Sequence, residues 1–238
     1  MNDFAGPVLK YTLLLISLQL VFLTITNAQT RVIYKEKFGK ERLSRNWQNV
    51  NGNWEFKKDT LYGKKNKEWA VLLSKKSLPE NYILTFSTRV DPKAYLFELI
   101  TNLNNNRFLG ILLNQLEHRV AIEDRAFFPE GNEMGSHIRT RAHIGKLPKV
   151  ARTAEATWIN WKVQKAGKKI FVWMNNEEMI TYNDTTGFIK PKGKFGFAIN
   201  GAAMIGAITV IKTKGEDSRP ALNFKGRPKI KPFFSFSE

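Results

Sequence analysis

"TWINWKVQKAGKKIFVWMNNEEMI" occupies residues 157–180 and holds three of the chain's six tryptophans. Ile159, Trp161 and Val163 fall on one side of an extended chain, and Asn160, Lys162 and Gln164 on the other. That two-residue period marks a half-buried strand. "KAGKK" closes a hairpin around Gly167. The next strand carries Ile170, Val172 and Met174 on one side and Phe171 and Trp173 on the other. Asn175-Asn176 is a second tight-turn signal, because asparagine tolerates positive φ. "EMITY" then returns as a third strand.

The same grammar extends outward in both directions. Upstream, "NYILTFSTRVD" alternates, with Tyr82, Leu84, Phe86 and Thr88 on one face. "YLFELIT" and "RFLGILLN" are apolar on both faces, as strands inside a layered core are. "HRVAIED" alternates again, Val120 and Ile122 opposing Arg119 and Glu123. Nearer the start, "NWEFKKDTLYGKK" turns at Lys58-Asp59, and "WAVLLS" is a compact apolar run. Downstream, "GKFGFAIN" and "AMIGAITVIKT" complete the series. Only "KERLSRN" and "KVARTAEA" offer a helical turn or two. Many short strands with frequent turns and no helical period predict an all-β fold, a two-sheet antiparallel β-sandwich of jelly-roll type.

Three segments stand apart. Lys10, the apolar run from Tyr11 to Ile25 and the small residues before Gln29 have the order of a secretory signal peptide, residues 1–28. An uncleaved anchor is the alternative, weakened by Thr12, Ser17, Gln19 and Thr24 inside the run. Residues 29–213 form the sandwich, within which 127–156 reads as one long irregular loop. Residues 214–238 make a basic tail mixing Pro, Lys and Phe without a period.

Composition narrows the partners. With 42% apolar and 25% charged residues the chain is an ordinary globular one. It has no cysteine, which excludes disulfides, thiolate metal sites, cysteine nucleophiles and a lipoprotein anchor. The formal charge is +17, and removing residues 1–28 takes away one Lys and one Asp, so the excess survives processing. In an exported chain, secreted or periplasmic, that excess suits acidic polysaccharide rather than nucleic acid. No membrane partner is expected after cleavage. The lysines are spread along the chain, which favours the plainer reading, a lysine-rich solvated surface.

The densest polar constellation runs from His118 to His143 and includes Arg119, Glu123, His137, Arg139 and Arg141. Histidine serves as a base at neutral pH, and arginine forks onto a sugar carboxylate, which is the equipment of a lyase acting on acidic glycans. A loop also simply collects charged residues. The histidine spacing matches no zinc motif, so neither metal nor cofactor is expected. There is no nucleophile elbow, phosphate loop or dinucleotide fingerprint, and the Glu-x-Asp-x-x-Glu strand of retaining jelly-roll glucanases is missing. A glycosidase needs two carboxyls roughly 5 to 10 Å apart. Glu123 and Asp124 point to opposite faces of their strand, whereas Glu123 with Glu98 from a neighbouring strand forms a candidate pair.

The stretch "KFGKERLSRNWQNVNGNWEFKKDTLYGKK" places Phe38, Trp47, Gly52, Trp54, Leu61 and Gly63 in a recognisable cadence. With "EHRVAIED", the 157–180 hairpins and "KGKFGFAINGAAMIGAITVIK", it resembles concanavalin A-like jelly rolls of the 3-keto-disaccharide hydrolase-like type, over about residues 32–212. Laminin-G-like sandwiches are a looser match. The resemblance implies a concanavalin A-like fold and a carbohydrate-binding or carbohydrate-processing role on a concave sheet.

Two rivals to that role are a glycoside-cleaving or lyase enzyme and a non-catalytic module of the cell envelope. The catalytic candidates are Glu98, Glu123, His137 and His143. The substrate-binding candidates are Arg119, Glu123, His137, Arg139 and Trp173. Trp161 belongs to the core. Trp173 either packs, the commoner fate of an aromatic, or stacks on a sugar ring.

Overall fold

The computed structural model describes residues 31–39, 42–67, 69–115, 119–127, 134–135, 143–146, 156–185, 187 and 189–215; at 119, 134–135 and 143–146 it describes the backbone alone. The expected signal peptide, His118, His137, Arg139, Arg141 and the tail beyond Gly215 lie outside the described residues.

The opening stretch folds as its pattern predicts. It supplies β12 (Trp158–Ala166), β13 (Lys169–Met174) and β14 (Glu177–Asn183). Gly167 turns the first hairpin with φ 59°, and Asn175 and Asn176 turn the second with φ 50° and 70°. Those left-handed values need glycine or a short polar residue. Among the described residues the strands join a nine-stranded sheet in the order β14, β13, β12, β6 (Tyr82–Val90), β16 (Ala202–Ile205), β4 (Thr60–Lys64) and β3 (Asn53–Lys57). β17 (Ile208–Lys212) also pairs with β6, and β1 (Arg31–Glu36) pairs with β17.

The second sheet has eight strands among the described residues. Their order is β10 (Met134–Gly135), β9 (Arg119–Phe127), β8 (Arg107–Asn114), β7 (Leu96–Asn104), β15 (Gly193–Asn200), β5 (Ala70–Leu78) and β2 (Trp47–Asn51), with β11 (His143–Lys146) also on β9. β8 runs antiparallel to both β7 and β9, as β12 does to β6 and β13. Leu43–Asn46 is a single helical turn inside "KERLSRN". The segment 127–156 is not one uninterrupted loop. β10 and β11 lie within it and pair antiparallel with β9. Two- and four-residue strands are too short to show a period, and their pairing with the preceding strand β9 creates them.

The inner faces of the two sheets enclose one core. Trp161 is fully buried and packs against Phe86 at 5.4 Å and Phe97 at 5.5 Å between ring centroids. Its indole N–H donates to Thr88 Oγ1 at 2.8 Å, so the one polar atom of the ring is satisfied inside the core. Trp47 closes the other flank against Phe195 and Phe197. Burying such a ring stabilises the fold by a few kcal/mol, about 25 cal/mol per Å² of apolar surface. The result is a two-sheet antiparallel β-sandwich.

Candidate functional site

Strand alternation decides what the second sheet turns outward. On β7, Phe97 and Leu99 enter the core, so Glu98 points away from it. On β8, Leu109, Ile111 and Leu113 point inward and Gly110 outward. On β9, Val120 and Ile122 point inward, leaving Ala121, Glu123 and Arg125 on the outer face. The outer face also carries a second apolar cluster, with Trp69, Val71, Ile100 and Phe108 buried and Phe127 packed against them. Both faces of this sheet are therefore buried across its middle.

Glu98, Gly110, Glu123 and Arg125 interlock there. Arg125 reaches across β8 to both carboxylates. Its Nη1 donates to Glu123 Oε2 at 2.9 Å, and its Nε lies 3.2 Å from Glu98 Oε1. The crossing is feasible because position 110 has no side chain. A Cβ there would stand 2.0 Å from Glu98 Oε1 and 2.9 Å from Arg125 Cδ. Glu98 is fully buried, and among the described residues neither of its carboxyl oxygens accepts a hydrogen bond. Desolvation pushes its pKa up to about 7; Arg125 pulls it down and Glu123 pushes it up, but desolvation prevails. Arg125 divides its charge between two carboxylates, which weakens its hold on either.

Chemically this is a pair of carboxyls kept in different environments. Glu123 is hydrogen-bonded to a guanidinium. Glu98 accepts no hydrogen bond among the described residues, and its pKa is raised to about 7. Sharing one guanidinium keeps them within roughly 10 Å, the range of paired glycosidase carboxyls. Their burial, however, leaves no room for a sugar between them as the protein stands: Glu98, Glu123 and Arg125 are each under a tenth exposed.

The remaining candidates distribute as follows. Arg119 stands on β9, its backbone opposite Asn114 of β8 and Lys146 of β11. His143 stands on β11 directly opposite Ile122, in register with the inward positions of β9 and not with Arg119 and Glu123. Glu98, Arg119, Glu123 and His143 thus fall on three strands of one sheet, although β8 separates β7 from β9.

Trp173 does not join them. It lies on the outer face of the first sheet, half-buried, stacked against Phe171 with centroids 5.8 Å apart. Its directly paired neighbour on β12, Lys162, places its ammonium 4.0 Å from the ring centroid. Lys162 is itself buried, and desolvation lowers its pKa, opposed by Glu178. The indole is engaged by its own neighbours, in line with packing.

Arg125 and Gly110 are the parts that sequence pattern marks least. Arg125 shares a strand face with Glu123 by the two-residue period, a signal that was present in "AIEDRAF". Gly110 carries no comparable signal, since the space it leaves matters only once Glu98 and Arg125 lie on either side.

No family model matches the chain, and no curated protein matches its sequence. Solved structures do match. A Bacillus subtilis protein of galectin-like fold superposes with a TM-score of 0.59 at 12% identity, over 78% of this chain and 100% of that one. A carbohydrate-binding module from Bacillus subtilis gives 0.53 at 16% identity, over 69% and 94%. The endo-β-1,3-glucanase of Pyrococcus furiosus gives 0.56 at 11% identity, over 80% and 97%. At these identities the likeness is one of fold, the concanavalin A-like sandwich.

Proposed function

We propose that the protein is exported by its N-terminal segment and recognises carbohydrate, preferentially an acidic polysaccharide, on the β9 side of its second sheet. The observation that carries this reading is the placement of Glu98, Arg119 and Glu123 at outward positions of one sheet in a fold shared with carbohydrate-binding and glucan-cleaving proteins. Glu123 and Arg125 neutralise each other and build the sheet's centre. Direct contacts to the glycan fall to Arg119, with His137 and Arg139 from the segment between β10 and β11; His143, paired with the inward Ile122, falls in register with the opposite face. Arginine suits a sugar carboxylate through paired N–H donors, and the net charge of +17 draws an acidic polymer towards the protein.

Binding is favoured over cleavage because an acid catalyst must reach the glycosidic oxygen, and Glu98 is closed off. The test is retention of the mature protein on a panel of neutral and acidic polysaccharides at low and high salt. Retention by an acidic polymer, weakened in Arg119→Ala and by salt, supports the reading. Failure to bind any polysaccharide refutes it.

A second reading has one observation in its favour. A carboxyl raised to about 7 beside a second one held by a guanidinium resembles the pairing that glycosidases use. It requires reducing ends or unsaturated products released from the same panel, and their disappearance in Glu98→Gln.

A further inference from the structure

Where β1, the 42–46 turn and the end of β5 meet at one edge of the sandwich, exposed cations stand beside two exposed aliphatic side chains. We propose that this edge docks onto a bilayer surface rich in anionic headgroups. The proposal goes beyond the carbohydrate reading and does not rest on it, because the surface and the partner are both different.

Three segments of the chain are tied together there. Lys75 Nζ donates to the Ser44 carbonyl at 2.6 Å. Asn46 Nδ2 donates to Glu36 Oε2 at 3.1 Å. The Lys76 ammonium stands 5.3 Å from the centroid of the Tyr34 ring. The shape of β5 makes these contacts possible. Ser77 pairs with Lys194 and Leu73 with Gly196, so Ser74, Lys75 and Lys76 together face the single residue Phe195. Such a bulge re-aims the side chains it carries. A regular strand would turn one of two consecutive residues towards the core, whereas Lys75, Lys76 and Ser77 are all exposed. The buried Ser74 fixes the bulge, its Oγ accepting from the Lys76 N–H at 3.1 Å.

Charge and apolar exposure together select the partner. Residues 35–37, 42–46 and 75–77 carry Lys35, Lys37, Arg42, Arg45, Lys75 and Lys76 against one carboxylate, Glu36. All of these cations are exposed. Glu36 is buried and already engaged, accepting from the Tyr34 hydroxyl, Asn46 Nδ2 and the N–H groups of Lys37 and Phe38. Lys40 and Glu41 add one charge of each sign and leave the excess unchanged. Like charges held this close repel, and an anionic surface relieves the repulsion. Three large apolar side chains are exposed among the described residues, and two of them, Val32 and Ile33, belong to β1. Val32 precedes Tyr34 by two residues, roughly 7 Å along the strand, so the aliphatic pair and the cations share one edge. An acidic polysaccharide in solution would leave those aliphatics in water. Tyr34, Phe38 and Trp47 are buried, so the described residues of these segments offer a nucleic acid base no stacking partner. A bilayer uses both features: headgroup charge attracts the cations, and the acyl boundary takes the aliphatic tips.

The experiment sediments the mature protein with vesicles of phosphatidylcholine alone, and of phosphatidylcholine mixed with an equal share of phosphatidylglycerol, at low and high salt. Heparin serves as a polyanion without a bilayer. Binding is expected to the mixed vesicles and not to the neutral ones, and it should weaken with salt. Lys75→Gln with Lys76→Gln removes two charges, each worth about fivefold, and should weaken vesicle binding roughly 30-fold. Val32→Ser with Ile33→Ser should weaken it roughly tenfold or more while leaving heparin affinity unchanged. Both pairs sit at exposed positions, so the melting temperature should hold. Each pair is read separately, so the test stands if one fails to fold. No sedimentation with mixed vesicles, or sedimentation that survives both paired variants, overturns the proposal. An equal loss on heparin and vesicles in the lysine pair, with no loss in the Val32 and Ile33 pair, also overturns it and makes the edge a polyanion site instead. Arg119→Ala, on which the carbohydrate reading turns, is expected to leave vesicle binding unchanged, so either reading can fall without the other.

Discussion

Raising the pH should destabilise this protein through Glu98, and the size of the effect can be worked out. The carboxyl ionises at its ordinary 4.5 in the unfolded chain and at about 7 when folded. Between those values the folded state holds one more proton, so stability is complete below pH 4.5 and falls as pH rises towards 7. The slope approaches 1.4 kcal/mol per pH unit at most, and the whole loss is about 3 kcal/mol. That is a large share of the roughly 5–15 kcal/mol that holds a typical domain. Glu98→Gln keeps the shape and removes the titration. Urea unfolding of both proteins from pH 4 to pH 8.5 should give curves that converge or cross as pH rises, the wild type losing stability relative to the variant. Histidine titrations are common to both proteins and cancel in the difference. Parallel curves would show that Glu98 is ionised throughout, and that its 3.2 Å contact with Arg125 outweighs desolvation.

Three further outcomes follow from the packing. Gly110→Ala forces a Cβ against Glu98 Oε1 and should cost about 1–3 kcal/mol as overpacking. Combined with Glu98→Ala, it should cost less than the two single changes together, a coupling that chemical denaturation of the four proteins measures. Trp161→Phe removes the donor to Thr88 Oγ1 and leaves a buried hydroxyl, lowering stability by about 1–3 kcal/mol in thermal unfolding. Trp173→Ala, at a half-buried ring on the other sheet, should cost less than Trp161→Ala and leave polysaccharide retention intact. Retention lost with Trp173 would move the glycan to the first sheet.

Much of the fold was legible from residues 157–180. Trp161 sits in the core with Ile159 and Val163 because alternation leaves it no other face. The turns at Gly167 and Asn175-Asn176 fall where residues that accept left-handed backbone were available. The candidate site was legible only in part. Composition and strand order suggest Glu98 and Glu123 as a carboxyl pair, and they do share one partner, Arg125, which the sequence offers only as one member of a crowded polar stretch. Trp173 cannot share a site with Arg119 and Glu123, because β13 and β9 belong to different sheets. Periodicity says which residues leave the core, not which of the two outward faces they join.

Local pattern by itself therefore determined the class, the hairpins and the inward half of each strand, because those depend on neighbours two residues apart. Tertiary structure alone decided that the outward half of the second sheet is also buried, that Gly110 clears the way for Arg125 to reach Glu98, and that a bulge turns Lys75 and Lys76 outward together. These depend on the register and order of strands far apart in the chain. A one-residue slip in either would turn each of those side chains to the opposite face.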